Sequence, residues 1–495
     1  MAQTFFSTRT SRTIALFIIF VLGIGIRLYD LTDLPLDFHS TRQLLSAIKA
    51  RGMYYSTRMD VATEYKSFAV QQWQFRASVE PEIFERVVAF TYQFTGEQVW
   101  IARIYSSAFW MIGTIFLFLL AKKLTNIDGA IASTAFYVFL PYAIIASRSF
   151  QPDPLMTMLI IIFLWAVVEW ADKQTYQYAI IAGLFGGFAI FIKFVAAFFV
   201  ISGGLGTVTS RMSIKEAIKN PQLYVMAILG IIPGAGYLIY GIFFTDYLSD
   251  QFGGRFIPTL FLSPSYYVGW LNMLNLVFGG IILMIALLGI FFYDDKNRRF
   301  ILTLWLGYLI FGFYFNFHIS THDYYSLPLI PIAALSLAPL ASFIFAKLSE
   351  ITNTKFLQLS AFCLLLFGLL ATTWNTRNIL NATDYRPEEK MWQEIAKITE
   401  GYNVAGLTQD YGSRMAYFGW RSITSMPSYG DILYGTQRGS QADFEERFNN
   451  IISKKDLFLV TDFNDLNLQP FLQEKLTQYP IFAEGDGYVI YDLMK

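Results

Sequence analysis

Long runs of hydrophobic residues dominate the chain, and polar residues are confined to shorter stretches between them. A helix needs roughly 20 apolar residues to cross a bilayer. Runs of about this length lie near 13–29, 99–121, 129–147, 154–170, 222–244, 271–293, 300–318, 323–346 and 356–374. The pattern therefore predicts a polytopic α-helical membrane protein.

The apolar stretch 178–204 is either one helix with Lys193 buried or two short helices that turn near Lys193. The loops decide this, because cytoplasmic loops are enriched in Lys and Arg. Two helices place the following basic residues on one side: Arg9, Arg12, Lys122, Lys123, Lys173, Arg211, Lys215, Lys219, Lys296, Arg298, Arg299, Lys347 and Lys355. A lysine in mid-bilayer would also be costly. We therefore predict about eleven spans, a cytoplasmic N-terminus, and a C-terminal segment outside the inner (plasma) membrane.

Composition supports the membrane assignment and excludes some functions. Of the 495 residues, 55% are hydrophobic and 15% are charged, whereas soluble domains have about 25% charged residues. The formal net charge is zero, so nothing indicates a nucleic-acid partner. The chain has no P-loop, which argues against an ATP-driven transporter, and no G-x-G-x-x-G, C-x-x-C or H-E-x-x-H motif.

Two regions are predicted to fold outside the bilayer. The outer loop 30–98 is too long for a simple connector, and we expect interfacial helices at SAIKARGMYY and PEIFERVVAFTYQFTG. After the membrane domain 1–375, residues 376–495 alternate between helical and strand patterns, which predicts a small extracytoplasmic α/β domain. Its predicted elements are the helices RPEEKMWQEIAKIT, QADFEERFNNII and LQPFLQEKLTQY, the strands VAGLT and KKDLFLVTD, and the hairpin IFAEGDGYVIYDL.

Polar residues of mixed charge gather on the predicted outer side. Asp37, His39 and Arg42 follow the first span, the turn SRSFQPDP contains Arg148 and Asp153, and Lys193 lies in its own turn. The other two histidines, His318 and His322, also fall there, and His318 ends an aromatic helix as a structural residue would. This asymmetry predicts a functional site at the outer membrane interface.

Several motifs resemble the membrane glycosyltransferases of the C-type (GT-C) fold. They are LPLDFH after the first span, VEPEIF and GEQVWIAR in the first loop, SRSFQPDP, FIKF, HDYYSLPLIP, and YFGWR in the tail. The chain thereby resembles the superfamily of the protein O-mannosyltransferases and the lipid A aminoarabinose transferase, including bacterial glycosyltransferase family 39. Phe38 stands where members usually have a glutamate.

The resemblance implies transfer of a sugar from a polyprenyl-phosphate donor to an acceptor, with inversion at the anomeric carbon. The acceptor is a protein, a lipid or a glycan. The implied roles are a base that takes the acceptor proton (Asp37), a second acid that orients the acceptor or a metal (Asp153), cations that bind the donor phosphate (Lys193, Arg148, Arg103), and contacts to substrate or metal (His39, Arg42, Glu80, His322, Tyr324). A divalent cation held by Asp37, His39 and Asp153 is one option, although no complete ligand set is visible.

Several of these residues also fit purely structural roles, and the chain as a whole fits two rival functions. Asp37 and Asp153 can serve as helix-end carboxylates, Lys193 can extend to the interface, and Arg103 and Arg148 can bind lipid headgroups. A flippase or transporter of lipid-linked glycans without catalysis would place charges within the spans and show repeat symmetry. A polymerase or ligase of lipid-linked glycans would use related chemistry on a different acceptor.

Overall fold

The computed structural model describes residues 4–76, 80–244, 248, 255–352, 354–440 and 443–495, and these are mostly helical. The α-helices are Arg9–Leu28, Ser40–Ser56, Thr63–Phe75, Ile83–Thr95, Trp100–Leu124, Ile127–Phe139, Pro141–Ala146, Asp153–Lys173, Tyr176–Ile192, Ala196–Arg211, Ile214–Lys219, Pro221–Phe243, Pro264–Phe278, Gly280–Gly289, Asp295–Tyr314, Asn316–Thr321, Leu329–Ile351, Lys355–Leu380, Arg386–Ile398, Ser413–Phe418, Tyr429–Gln437, Phe444–Ile452, Phe463–Asn467 and Pro470–Leu476.

The chain folds as two compact units. The first contains Met1–Leu31, Ser78–Ile83 and Ala102–Ala382, and the second contains Thr32–Ala77, Phe84–Ile101 and Thr383–Lys495. Most of the first loop therefore shares a compact unit with the tail.

The first unit contains the apolar helices. Among the described residues, six helices are long and apolar enough to cross a membrane. A seventh candidate is Pro264–Phe278 followed by Gly280–Phe292, which is bent by 87°. The bend corrects the prediction of one continuous helix over 271–293, and Gly279 at the break has φ +76°, which glycine adopts without steric cost. The total of about eleven spans stays a prediction.

Other apolar stretches are also divided in the structure, and 300–318 breaks at Phe315, between Asp295–Tyr314 and Asn316–Thr321. The stretch 178–204 forms two helices, Tyr176–Ile192 and Ala196–Arg211, which confirms the predicted break at Lys193. The stretch 129–147 is also two helices, because Pro141 has no N–H to donate to the fourth residue before it and begins a new helix instead. The prediction of a single helix there was wrong.

Glycines allow the helices Tyr176–Ile192 and Pro221–Phe243 to pack closely. A Cβ on Gly187 would lie 2.2 Å from the carbonyl oxygen of Leu229, and one on Gly183 would lie 2.8 Å from the Leu229 Cβ. Small residues spaced four apart let helix backbones approach each other in a membrane, where packing drives association.

We expect Gly187→Ala to destabilise the first unit by about 1–3 kcal/mol, because the added methyl group forces the two helices apart. The measurement is the melting temperature of the purified protein in detergent. The control is Gly236→Ala, since a Cβ at Gly236 meets nothing within 4 Å. An equal effect of the two substitutions would contradict the close packing of these helices as its cause.

The second unit contains a five-stranded sheet in the order β2-β1-β3-β5-β4. The strands are β1 (Val404–Leu407), β2 (Thr424–Ser425), β3 (Leu457–Val460), β4 (Ile481–Gly485) and β5 (Tyr488–Asp492). Strand β1 is parallel to β2 and β3, with Val404 opposite Leu457, and β5 is antiparallel to β3 and β4. All four residues of β3 are buried, as its continuous apolar run LFLV suggests.

The predicted elements of the tail are present. Helices occur at Arg386–Ile398, Phe444–Ile452 and Pro470–Leu476, and the closing hairpin turns at Gly487, which has φ +84°. Gln441 and Ala442, at the start of one predicted helix, lie outside the described residues. The first loop contains the predicted helices, as Ser40–Ser56 and Ile83–Thr95, and an additional one, Thr63–Phe75, that was not predicted.

Candidate functional site

Two buried arginines hold the turn at 147–153 in the first unit. Arg27, on the first helix, donates from Nε to the Ser147 hydroxyl at 2.8 Å. Arg148 donates from Nη2 to the backbone oxygen of Asp30 at 2.9 Å. Both arginines are at most 1% exposed, so the turn is fixed against the end of the first helix.

Asp153 and Lys193 form a buried ion pair in the first unit. Lys193 Nζ lies 2.9 Å from Asp153 Oδ1 and 3.0 Å from Oδ2. Asp153 begins the helix Asp153–Lys173, and Lys193 ends the helix Tyr176–Ile192 in extended backbone. The break between the two apolar helices thus places the Lys193 ammonium group beside the Asp153 carboxylate. Both side chains are buried, so little water reaches them. Burying such a pair carries a desolvation cost. Removing one partner strongly destabilises the fold, because the other charge then stays buried without compensation.

Aromatic rings complete the surroundings of Lys193. Its Nζ lies 5.2 Å from the ring centroid of Tyr324 and 5.6 Å from that of Tyr325, within cation–π range. The ring of His322 packs edge-on at 5.7 Å from Tyr324, and His318 lies 5.3 Å from Tyr325. The structure therefore brings together four of the predicted residues: Asp153, Lys193, His322 and Tyr324.

The first unit also has an apolar groove whose lining includes the neighbour of Lys193 in the sequence. It has a volume of about 330 Å³ and runs between the helices Ala196–Arg211 and Asp295–Tyr314. Its lining begins at Phe194, the residue after Lys193, and continues through Phe198, Ile201 and Leu205. A cation beside an apolar groove is suited to a molecule with an anionic head and a hydrocarbon tail.

Asp37 lies in the second unit, where it is partly buried in the segment that follows the first helix. Its Oδ1 accepts a hydrogen bond from Gln43 Nε2 at 3.2 Å. Burial raises the pKa of the Tyr385 hydroxyl, a hydrogen bond with Thr383 lowers it, and the nearby Asp37 carboxylate raises it further. Tyr385, from the start of the tail, is therefore an electrostatic neighbour of the predicted base.

Further contacts join the first loop to the tail within the second unit. Asp33 Oδ1 accepts the backbone N–H of Tyr385 at 3.0 Å. Asp410 accepts the hydroxyls of Ser40 and Thr41, each at 2.7 Å. These bonds fix both ends of the segment that contains Asp37, so the tail helps to position the candidate base.

The remaining predicted residues are placed as follows. Arg103 is buried in the helix Trp100–Leu124, and Glu80 is partly buried in the first unit. His39 precedes the helix Ser40–Ser56 with φ +45°, and its ring packs edge-on against Phe38 at 4.6 Å. Arg42 is partly exposed in the first turn of that helix.

Among the described residues, no three His, Cys, Asp or Glu side chains form a group that can hold a metal ion. The option of a divalent cation held by Asp37, His39 and Asp153 gains no support from this, and no chemical step is assigned to a metal.

Sequence reasoning missed three residues of the site. Arg27 lies within the apolar run 13–29, where an arginine near the helix end is a recognisable signal. Tyr325 adjoins a predicted residue. Gln151 is fully buried in the turn, and within the described part of the chain neither polar atom of its side chain has a hydrogen-bond partner. Buried amides normally have partners, so a bound group can supply them here.

Comparisons with known proteins agree with this architecture. The family profile "Dolichyl-phosphate-mannose-protein mannosyltransferase" matches residues 80–240. ArnT from Cupriavidus metallidurans, solved with undecaprenyl phosphate, is similar with a TM-score of 0.57 and 13% identity, over 97% of this chain and 96% of that one. No curated protein sequence matches the chain.

A second solved structure has the same fold. The archaeal oligosaccharyltransferase AglB from Archaeoglobus fulgidus, in complex with an inhibitory peptide and a dolichol-phosphate, matches with a TM-score of 0.53 and 11% identity. The match covers 98% of this chain and 74% of that one. Identities this low show similarity of fold alone.

The family profile and the shared fold together confirm the predicted resemblance. The chain is a multi-pass membrane protein of the C-type glycosyltransferase fold with a small C-terminal sheet. Through the profile match over residues 80–240 and this shared fold, the chain resembles the membrane glycosyltransferases in the superfamily of the protein O-mannosyltransferases and the lipid A aminoarabinose transferase.

Proposed function

We propose that the protein transfers a sugar from a polyprenyl-phosphate donor to an acceptor at the outer face of the inner membrane, with inversion at the anomeric carbon. The observation that carries the proposal is the buried Lys193, paired with Asp153 beside Tyr324 and next to an apolar groove. The polyprenyl-phosphate and dolichol-phosphate in the two similar structures agree with a donor of this chemistry.

The donor contacts follow from the first unit. Lys193 binds the phosphate as a point charge, and the hydrocarbon chain lies in the groove that begins at Phe194. Arg148 and Arg103 add cationic donors. Asp153 keeps the Lys193 ammonium group in place when the site is empty, a positioning role instead of the predicted contact with acceptor or metal. Gln151 donates to and accepts from the sugar hydroxyls with its buried amide.

The chemical step needs a base and support for the leaving group. Asp37 takes the proton from the acceptor hydroxyl or amine as that atom attacks the anomeric carbon. The bond from the anomeric carbon to the phosphate oxygen breaks, and the cations stabilise the charge that develops on the phosphate. The acceptor proton thus passes to Asp37, and the electron pair of the broken bond stays on the phosphate oxygen of the released polyprenyl phosphate.

The proposal is tested by incubating the purified protein with polyprenyl-phosphate sugars that carry hexoses, pentoses or amino sugars. We expect one donor to be consumed when a membrane extract supplies the acceptor, with release of free polyprenyl phosphate measured by mass spectrometry. The control is the same protein without extract. Donor binding without consumption would replace this proposal with a flippase or transporter, and neither binding nor consumption of any donor would reject it.

A further inference from the structure

The second unit contains a separate cavity of about 540 Å³ that the proposed transfer does not use. Its walls come from the helix Thr63–Phe75 and from tail residues 402–404, 420–424 and 455. Ligand pockets typically have volumes of about 300–1,000 Å³, so the cavity is large enough for a small molecule or a short chain of sugars. The tail motif YFGWR contributes its last two residues, Trp420 and Arg421.

Aromatic rings form one part of the cavity wall. Phe75 is 84% exposed, although its side chain is apolar. The Trp420 ring is packed by its neighbours, with Tyr65 at 4.9 Å, Tyr55 at 5.5 Å and the Arg51 guanidinium group at 4.3 Å from its centroid. Trp420 also has φ +53°, a left-handed conformation that non-glycine residues rarely adopt. The surroundings thus fix a flat apolar surface at the cavity.

Amide and cationic side chains form another part of the cavity wall. Gln71 and Asn403 carry amide side chains, which both donate and accept hydrogen bonds. Arg421 and Lys455 supply positive charge, and none of the residues described as lining the cavity is acidic. The neighbouring Asp456 accepts hydrogen bonds from the backbone and side chain of Asn403 at 2.6 and 3.2 Å. The lining therefore favours an anionic ligand.

We infer that this cavity binds an acidic oligosaccharide. Sugar rings have apolar C–H faces that pack on Trp420 and Phe75, their hydroxyls suit the amides, and a carboxylate or phosphate on the sugar pairs with Arg421 and Lys455. An acidic peptide would match the charge but would leave the combination of flat rings and amides without a specific purpose. The inference does not depend on the proposed sugar transfer.

The test is isothermal titration of the full-length protein in detergent with uronic-acid, sialylated and phosphorylated tetrasaccharides. We expect at least one to bind, and Lys455→Glu to weaken its binding by about tenfold or more through reversal of one charge. Phe75→Ala should weaken it several-fold, and the exposed position of Phe75 means that the substitution leaves the fold intact. The matched controls are Lys390→Glu and Phe471→Ala, which change exposed residues of the same unit outside the cavity.

Several outcomes would overturn the inference. These are no binding of any acidic tetrasaccharide, equal binding of neutral maltotetraose, or equal binding by the cavity variants and their controls. Binding only of a glutamate-rich peptide, or only of vesicles that contain phosphatidylglycerol, would assign the cavity to another class of partner. Because binding is measured without a donor, these outcomes are independent of whether sugar transfer occurs.

Discussion

Asp37→Asn is expected to reduce donor consumption by at least about 100-fold, because general-base catalysis contributes about 10²–10⁴-fold. Asparagine has nearly the same shape as aspartate and can still pair with Gln43, but it cannot take a proton. The measurement is the rate of polyprenyl-phosphate release from the active donor. Donor affinity and melting temperature should stay unchanged, since Lys193 is intact.

The control for this variant is Asp60→Asn, which changes an exposed carboxylate of the first loop. We expect full activity for it. If Asp37→Asn retains wild-type turnover, Asp37 is not the base. If the variant loses activity and melting temperature together, its role is structural.

Removal of the Lys193 charge is expected to affect stability and donor binding separately. Lys193→Met leaves Asp153 buried without its cation, which costs about 3–5 kcal/mol when a buried pair is broken. The double variant Asp153→Asn/Lys193→Met removes both charges and should regain most of that stability. It should still bind polyprenyl phosphate at least about tenfold more weakly than wild type, a change of about 1.4 kcal/mol.

The readouts are melting temperature and the equilibrium affinity for undecaprenyl phosphate, with Lys122→Met as a control that removes an exposed lysine from the last turn of the helix Trp100–Leu124. If the double variant regains donor affinity along with stability, Lys193 serves the fold and not the phosphate. The two readouts thus separate the function of the pair from its structural contribution.

Sequence patterns were sufficient where one local signal dominated. The length of the apolar runs predicted the long helices, and the excess of lysine and arginine in alternate loops predicted the break at Lys193. Alternation of apolar and polar residues gave most of the tail. The helix Thr63–Phe75 was missed because its sequence TEYKSFAVQQWQF has few apolar residues at helical spacing. The bend at Gly279 was missed because a hydrophobic run indicates that a segment lies in an apolar environment but does not indicate the direction in which its helix runs.

The site was less predictable, since its contacts join distant parts of the chain. The Asp153–Lys193 pair spans 40 residues, and the bonds from Asp410 to Ser40 and Thr41 span 370 and 369. A single sequence contains no record of such pairings. The residue types suggest chemistry, but the pairing of Asp153 with Lys193 is visible only in the structure.

The division of the second unit among three stretches of chain sets an order for its synthesis. Roughly 280 residues lie between Ile101 and Thr383. At about 5–20 residues per second, the first-loop stretches leave the ribosome roughly 15–60 s before the tail begins. During that interval Asp33 lacks the Tyr385 N–H and Arg51 lacks the Tyr417 carbonyl oxygen. A nascent chain that terminates early would therefore insert its helices but leave these groups unsatisfied, a state that quality-control proteases can recognise.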